Sequence, residues 1–280
     1  MIGRPRHEVV HRLSWATTVL VGFAAAAGVL QREIYRDNDL VAATWLGNDL
    51  VTLAVAVPLL ALATRRSARG SIRWRLVLLG LLLYAFYGYA FYLFGAAFNA
   101  LFLVYVAIMV TSGGGLLLGL GGLDVSAAAS GFRDAVPARA VSAFMLAVGV
   151  LLGGFWVALS VAYLFTGAPP PMVEATAHPT NVTGALDLSI VVTLGLLGGV
   201  WLWRRRPWGY VLAVIWTVKG AVYMLALSAA AVAAWRYGPA ADIAQVALWA
   251  PIGVGSAASA LALLVGYREP GARGVEDRAA

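Results

Sequence analysis

Polar and apolar positions alternate along this chain in long blocks: eight apolar stretches are separated by short clusters of arginine and other polar residues. The longest stretch without a charge runs from Leu76 to Leu123, 48 residues. As one helix it would be about 72 Å long at ~1.5 Å per residue. A bilayer core is about 30 Å thick and takes ~20 residues. The stretch must therefore fold back, and Gly95 to Asn99 is the predicted turn between spans near 76–95 and 99–121. The same reading predicts spans near 13–31, 41–64, 139–165, 186–203, 208–235 and 242–266. The first, with basic residues and the string Phe23-Ala24-Ala25-Ala26-Ala27, shares features with a signal peptide, but its apolar run is long for one. All eight are too long for barrel strands and lack the period of two that barrels require. The expected fold is all-α, a polytopic transmembrane helix bundle with eight spans. Its transmembrane domain covers 13–266, preceded by a cytoplasmic segment 1–12 and followed by a tail 267–280 expected to be disordered.

Composition agrees with this class. Hydrophobic residues make up 61% of the chain and charged residues 12%, against about a quarter charged in a soluble domain. Cysteine is absent, which excludes disulfides, thiol catalysis and Cys-based metal sites. The net charge of +7 records topology. With the N-terminus inside, inner segments hold 16 of the 20 cations, outer loops hold Arg32, Arg36 and Arg236, and the last is Lys219 within a span. That bias is the positive-inside pattern and places both termini in the cytoplasm. The inner arginines form a solvated face that attracts anionic lipid head groups, so membrane lipids are the expected partners and nucleic acid is not. Many arginines against one lysine, in an Ala-rich chain, fit a bacterial plasma membrane.

Glycine is frequent, at 31 residues. The pairs Gly115/Gly119, Gly149/Gly153 and Gly195/Gly199 allow helices to approach closely, with internal packing favoured over a dimer face. Gly113-Gly114-Gly115 could loosen the fourth span, although packing is again the favoured reading. The one long outer loop, 167–185, carries Pro169-Pro170-Pro171 and His178.

The polar residues within or beside the spans are the candidate site. Lys219 lies near mid-membrane, where a lysine costs a few kcal/mol unless paired or hydrated. It is expected either to bind an anionic or carbonyl-bearing ligand, to move a proton, or to sit in a buried ion pair. A seventh-helix lysine could also carry retinal, but that requires a carboxylate from the third span, which has none. Asp49 is the acid well inside a span, while Asp187 and Asp242 are expected at the outer ends of the sixth and eighth. The third span carries Tyr84, Phe86, Tyr87, Tyr89, Phe91, Tyr92 and Phe94; aromatic packing is the favoured reading, and a wall for a flat ligand is the other. Asn48, Asn99, Glu174 and His178 share the outer half with the acids. The ligand-binding candidates are thus Lys219, Asp49, Asn99, Asp187, Tyr87 and His178. One histidine with scattered acids does not make a metal site, and no cofactor is expected.

Three strings resemble a family of uncharacterised bacterial multi-pass membrane proteins: Phe98-Asn99-Ala100-Leu101-Phe102-Leu103-Val104-Tyr105; the outer loop ending Pro179-Thr180-Asn181 with Asp187 after it; and Arg204-Arg205-Arg206-Pro207-Trp208-Gly209-Tyr210. The resemblance covers roughly residues 40–235 and implies fold and membrane location, with no activity attached. Function is therefore expected from the polar set alone. The leading expectation is transport or binding of a small solute or lipid-related molecule at an outward-facing site. The alternatives are an enzyme acting on a lipid or isoprenoid, with Asp49 or Asp187 as acid/base, and a structural or assembly protein without ligand.

Overall fold

The structure, a computed structural model, describes residues 4–239 and 243–269. Asp242 lies outside the described residues. Eight helices are long and apolar enough to cross a membrane: Arg6–Leu30, Asp39–Ala68, Ile72–Phe94, Phe102–Gly121, Ala138–Thr166, Val182–Trp203, Pro207–Tyr237 and Gln245–Val265. They are numbered as the first to eighth spans. The first helix begins at Arg4. The chain is an all-α polytopic bundle; among the described residues the only β pairing is an isolated bridge between Phe132 and Tyr267. An even number of spans puts the start of the first span and the end of the eighth on one face, the face that carries most of the arginines.

Two spans form the centre. The third and seventh have 78% and 67% of their most apolar stretch buried, against 39% or less for the others. The third span is apolar all round, with Leu76 to Leu83 entirely buried, as expected of a helix enclosed by other helices. The peripheral spans instead turn residues such as Leu151, Leu164, Phe165 and Val254 outward, where lipid is their natural solvent.

The two halves of the chain repeat one packing order. The second span packs on the third, the third on the fourth, and the first on both the second and fourth. In the second half the sixth packs on the fifth and seventh, the seventh on the eighth, and the fifth lightly on the eighth. The halves meet through the seventh span, against the second and third. Among the described residues each half also carries one buried acid, Asp49 or Asp187, in the span that ends at an arginine cluster.

Both acid-bearing helices contain a π-helical segment, Thr52–Ala56 in the second span and Asp187–Val192 in the sixth. In the second span Pro58 explains it. Proline has no N–H and its ring crowds the carbonyl four residues back, so the turn ahead of it widens. In the sixth, the Thr193 hydroxyl donates to the Leu188 carbonyl at 2.9 Å, satisfying an acceptor in the widened turn. The fourth span, by contrast, runs unbroken through Gly113-Gly114-Gly115. Its glycines serve packing: a Cβ on Gly119 would lie 2.6 Å from Leu79, and one on Gly115 3.2 Å from Leu82. Gly149, Gly153, Gly195 and Gly199 likewise face internal neighbours.

The Arg-rich face is closed by the segment that follows the eighth span. Glu269 accepts from the Ser71 hydroxyl at 2.5 Å and from the backbone N–H groups of Ile72 and Arg73 at 3.1 and 3.2 Å. It thus satisfies donors left free at the start of the third span. The Arg73 guanidinium donates to the Tyr267 carbonyl. Arg268 N–H donates to Gly131 O at 2.8 Å, and Arg133 N–H to Gly266 O at 3.0 Å.

The second and seventh spans cross in close backbone contact. A Cβ on Gly47 would lie 2.3 Å from the Ala229 carbonyl oxygen, a backbone atom that cannot rotate away. Gly47→Ala is therefore expected to cost about 1–3 kcal/mol through overpacking, read as a lowered thermal midpoint of the purified protein. Gly88, with nothing within 4 Å of its would-be Cβ, provides the comparison. Gly88→Ala should leave the midpoint unchanged or slightly raised, and equal losses at both positions would refute the packing argument.

Candidate functional site

The buried polar residues form two separate clusters, one for each acid. In the first, Lys219 of the seventh span places its ammonium 3.7 Å from the ring centre of Tyr87 and 4.1 Å from that of Tyr223. Tyr223 is one turn along the same helix, so the spacing alone puts both on one face. Tyr87 comes from the third span and faces Tyr223 edge-on. The Tyr87 hydroxyl donates to Asp187 Oδ1 at 2.7 Å, and the Trp156 indole N–H donates to Oδ2 at 2.9 Å. Four spans thus contribute to one site.

Lys219 has no carboxylate within 4.0 Å: among the described residues the only salt bridge is Arg12–Glu8 near the start of the chain. Tyr87 links the two groups, its ring against the Lys219 ammonium and its hydroxyl on Asp187 Oδ1. A lysine at mid-membrane costs about 2.5–3.5 kcal/mol on insertion scales. A desolvated cation over one aromatic ring recovers about 2 kcal/mol. Two rings and a nearby carboxylate are enough to hold the charge there.

The second cluster surrounds Asp49, which is 1% exposed. Its Oδ2 accepts from Tyr35 at 2.5 Å and its Oδ1 from Tyr92 at 2.9 Å. Tyr35 belongs to the first outer loop and dips inward beside the first span, where Gly28 leaves the room. A Cβ at Gly28 would lie 2.1 Å from Asp49 Oδ2 and 2.2 Å from the Tyr35 hydroxyl. Trp45 stacks on Tyr92 with ring centres 4.1 Å apart. Between the clusters lies a space of about 30 Å³ bordered by Asn48, Thr52, Tyr84, Gly88, Tyr92 and Tyr223. One water needs about 10–15 Å³ on this scale, so the space suits water and no organic solute. Tyr84 spans its wall with its hydroxyl 2.8 Å from Thr52.

The six candidates therefore divide. Lys219, Tyr87 and Asp187 come together. Asp49 forms its own cluster across the small space. Asn99 is buried but serves its own loop, accepting from Leu101 N–H and donating to Ala97 O. His178 lies in the outer loop against Phe91, ring centres 5.7 Å apart. That loop is fastened by Asn38 Nδ2 donating to Ala175 O at 2.9 Å. Asp37, beside it, accepts from Trp45 Nε1 and Ala97 N–H. Tyr35, Tyr92, Trp156 and Tyr223 are not among the six candidates; Tyr92 carries a signal as part of the aromatic third span, and Tyr223 through its four-residue spacing from Lys219.

No protein-family model, curated protein or solved structure matches the chain. The class defined by fold and site is a multi-pass membrane protein with a buried, charged centre between its two halves.

Two outcomes are expected. Lys219→Met or Asp187→Asn alone strands the other charge in a buried setting, at a cost of about 3–5 kcal/mol. The double variant should cost clearly less than the sum; additive losses in a thermal double-mutant cycle would show that the two charges do not share a site. For His178, burial pushes the imidazole below its ordinary value of 6.5, and Asp37 opposes this more weakly. The docked loop thus binds fewer protons than the released loop. Docking is favoured above the ordinary histidine value and weakens as pH falls through it and below. A spin label on a cysteine introduced at Thr176 should become more mobile on acidification. In His178→Phe that pH dependence should disappear.

Proposed function

We propose that this protein is a transporter for a small organic anion, held here in a closed state, with the anion pairing with Lys219. The observation that carries the reading is an intramembrane ammonium that rests on two tyrosine rings and has no direct carboxylate partner. A small carboxylate would pair with that cation once the halves separate, while Asp187, fixed by Tyr87 and Trp156, offers an internal charge to reclaim Lys219 after release. Arrangement of two similarly packed halves around a polar centre supports the same reading, because rocking of such halves alternates access to a shared site. Residence in a bacterial plasma membrane belongs to this proposal and is supported by the arginine bias and composition.

Catalysis on a lipid receives less support, since both oxygens of Asp49 are already engaged by phenols and the adjoining space is water-sized. The same small space favours a second reading, a structural protein without ligand. Proteoliposomes challenged with acetate, lactate and pyruvate on a solid-supported electrode separate these. Transport predicts currents for at least one carboxylate that vanish in Lys219→Met and persist in Lys219→Arg at reduced size. Silence for every carboxylate, or currents indifferent to Lys219→Met, would overturn the anion-transport reading.

A further inference from the structure

An open hollow of about 260 Å³ lies away from Lys219, at the Arg-rich end, where the sixth span turns into the seventh. Its walls are Val125 and Ser126 of the short helix Val125–Ser130, Trp201 at the end of the sixth span, and Arg206, Pro207 and Trp208. The turn that builds it is specific. Arg205 N–H donates to Leu202 O at 2.9 Å and Arg206 N–H to Trp201 O at 2.8 Å, the paired bonds that close a helix through a left-handed residue. That residue is usually glycine; here it is Arg205, at φ +52°. The turn therefore accepts strain and keeps three consecutive guanidinium groups at one point of the membrane border.

The Arg206 side chain makes no hydrogen bond or ion pair with any described residue. The nearest acid in sequence to the cavity wall, Asp124, spends a carboxylate oxygen capping the short helix, accepting from Ala127 N–H at 2.9 Å. One guanidinium and two indoles thus border a mostly apolar hollow at the Arg-rich ends of the spans, where tryptophan is favoured and anionic lipid heads collect. Leu197, one turn before Trp201 on the same face, is 43% exposed and continues the wall toward the hydrocarbon.

We propose that this cavity is a binding site for an anionic phospholipid of the Arg-rich leaflet. The phosphate pairs with Arg206, the head group lies against Ser126 and the indoles, and an acyl chain follows Leu197. Charge complementarity selects the occupant: the wall offers a cation without a counter-ion among the described residues, and its lining is mostly apolar, with exposed Leu197 one turn from Trp201. Inorganic phosphate would satisfy the cation but leave that lining uncovered.

The purified full-length protein, delipidated in detergent, provides the test. Phosphatidylglycerol should raise its thermal midpoint more than phosphatidylcholine does at equal concentration. Arg206→Gln should weaken phosphatidylglycerol binding by roughly tenfold, the loss of one charge-assisted contact. Ser126→Phe, which fills the hollow and keeps every charge, should also abolish the selective rise. Arg69→Gln removes one exposed charge from the same face, and should leave it intact. Equal losses in Arg69→Gln and Arg206→Gln, an unchanged response in Ser126→Phe, or a matching rise from inorganic phosphate alone would each overturn the proposal.

Discussion

A charge held within the bilayer is the constraint to which the centre of this structure answers. Lys219 is buried away from the surface, and the surrounding helices must accommodate its charge. Two phenol rings and a carboxylate do so, and they come from the third, sixth and seventh spans. Trp156 of the fifth completes the carboxylate's bonds. The demand of one ammonium therefore fixes how four helices meet. The hydrophobic effect cannot perform this task, because apolar side chains gain nothing by choosing one another over lipid. Glycine approaches and polar contacts are what remain, and the bundle uses both.

Asp49 solves a related problem differently. It has no cation at hand and is enclosed by phenol donors, one of them delivered from outside the spans by Tyr35. The first outer loop is consequently part of the polar interior. Gly28 and Gly47 are the places where the backbone yields space for this arrangement, the first to Tyr35 and Asp49, the second to the seventh span.

The span count was legible because two independent signals, apolar length and arginine alternation, obey the same periodic constraint. Lys219, Asp49, Asp187 and Tyr87 were legible singly, since each breaks the apolar rule of a span. Their grouping was not. Asp187 reads as an end residue when the sixth span is taken from 186, whereas the helix starts at Val182 and carries the acid inward. Trp156 gives no sign of its role, because an indole in a span reads as packing until a carboxylate is found beside it. Asn99 shares the outer depth of the acids but turns its side chain to its own loop, and depth alone cannot distinguish the two cases.

The π segments have a bearing on how such chains can diverge. A widened turn holds one residue more than an α turn, so the helix on its two sides is out of phase by about 100°. In the second span this offset lies between Asp49 and the inner half. Deleting a single residue from 52–56 would restore an ordinary helix while rotating the whole outer half, turning Asp49 away from Tyr92 and Gly47 away from Ala229. Length in that short window is thus as constrained as identity is elsewhere. A relative with one residue fewer there would have to rebuild its polar centre from other side chains.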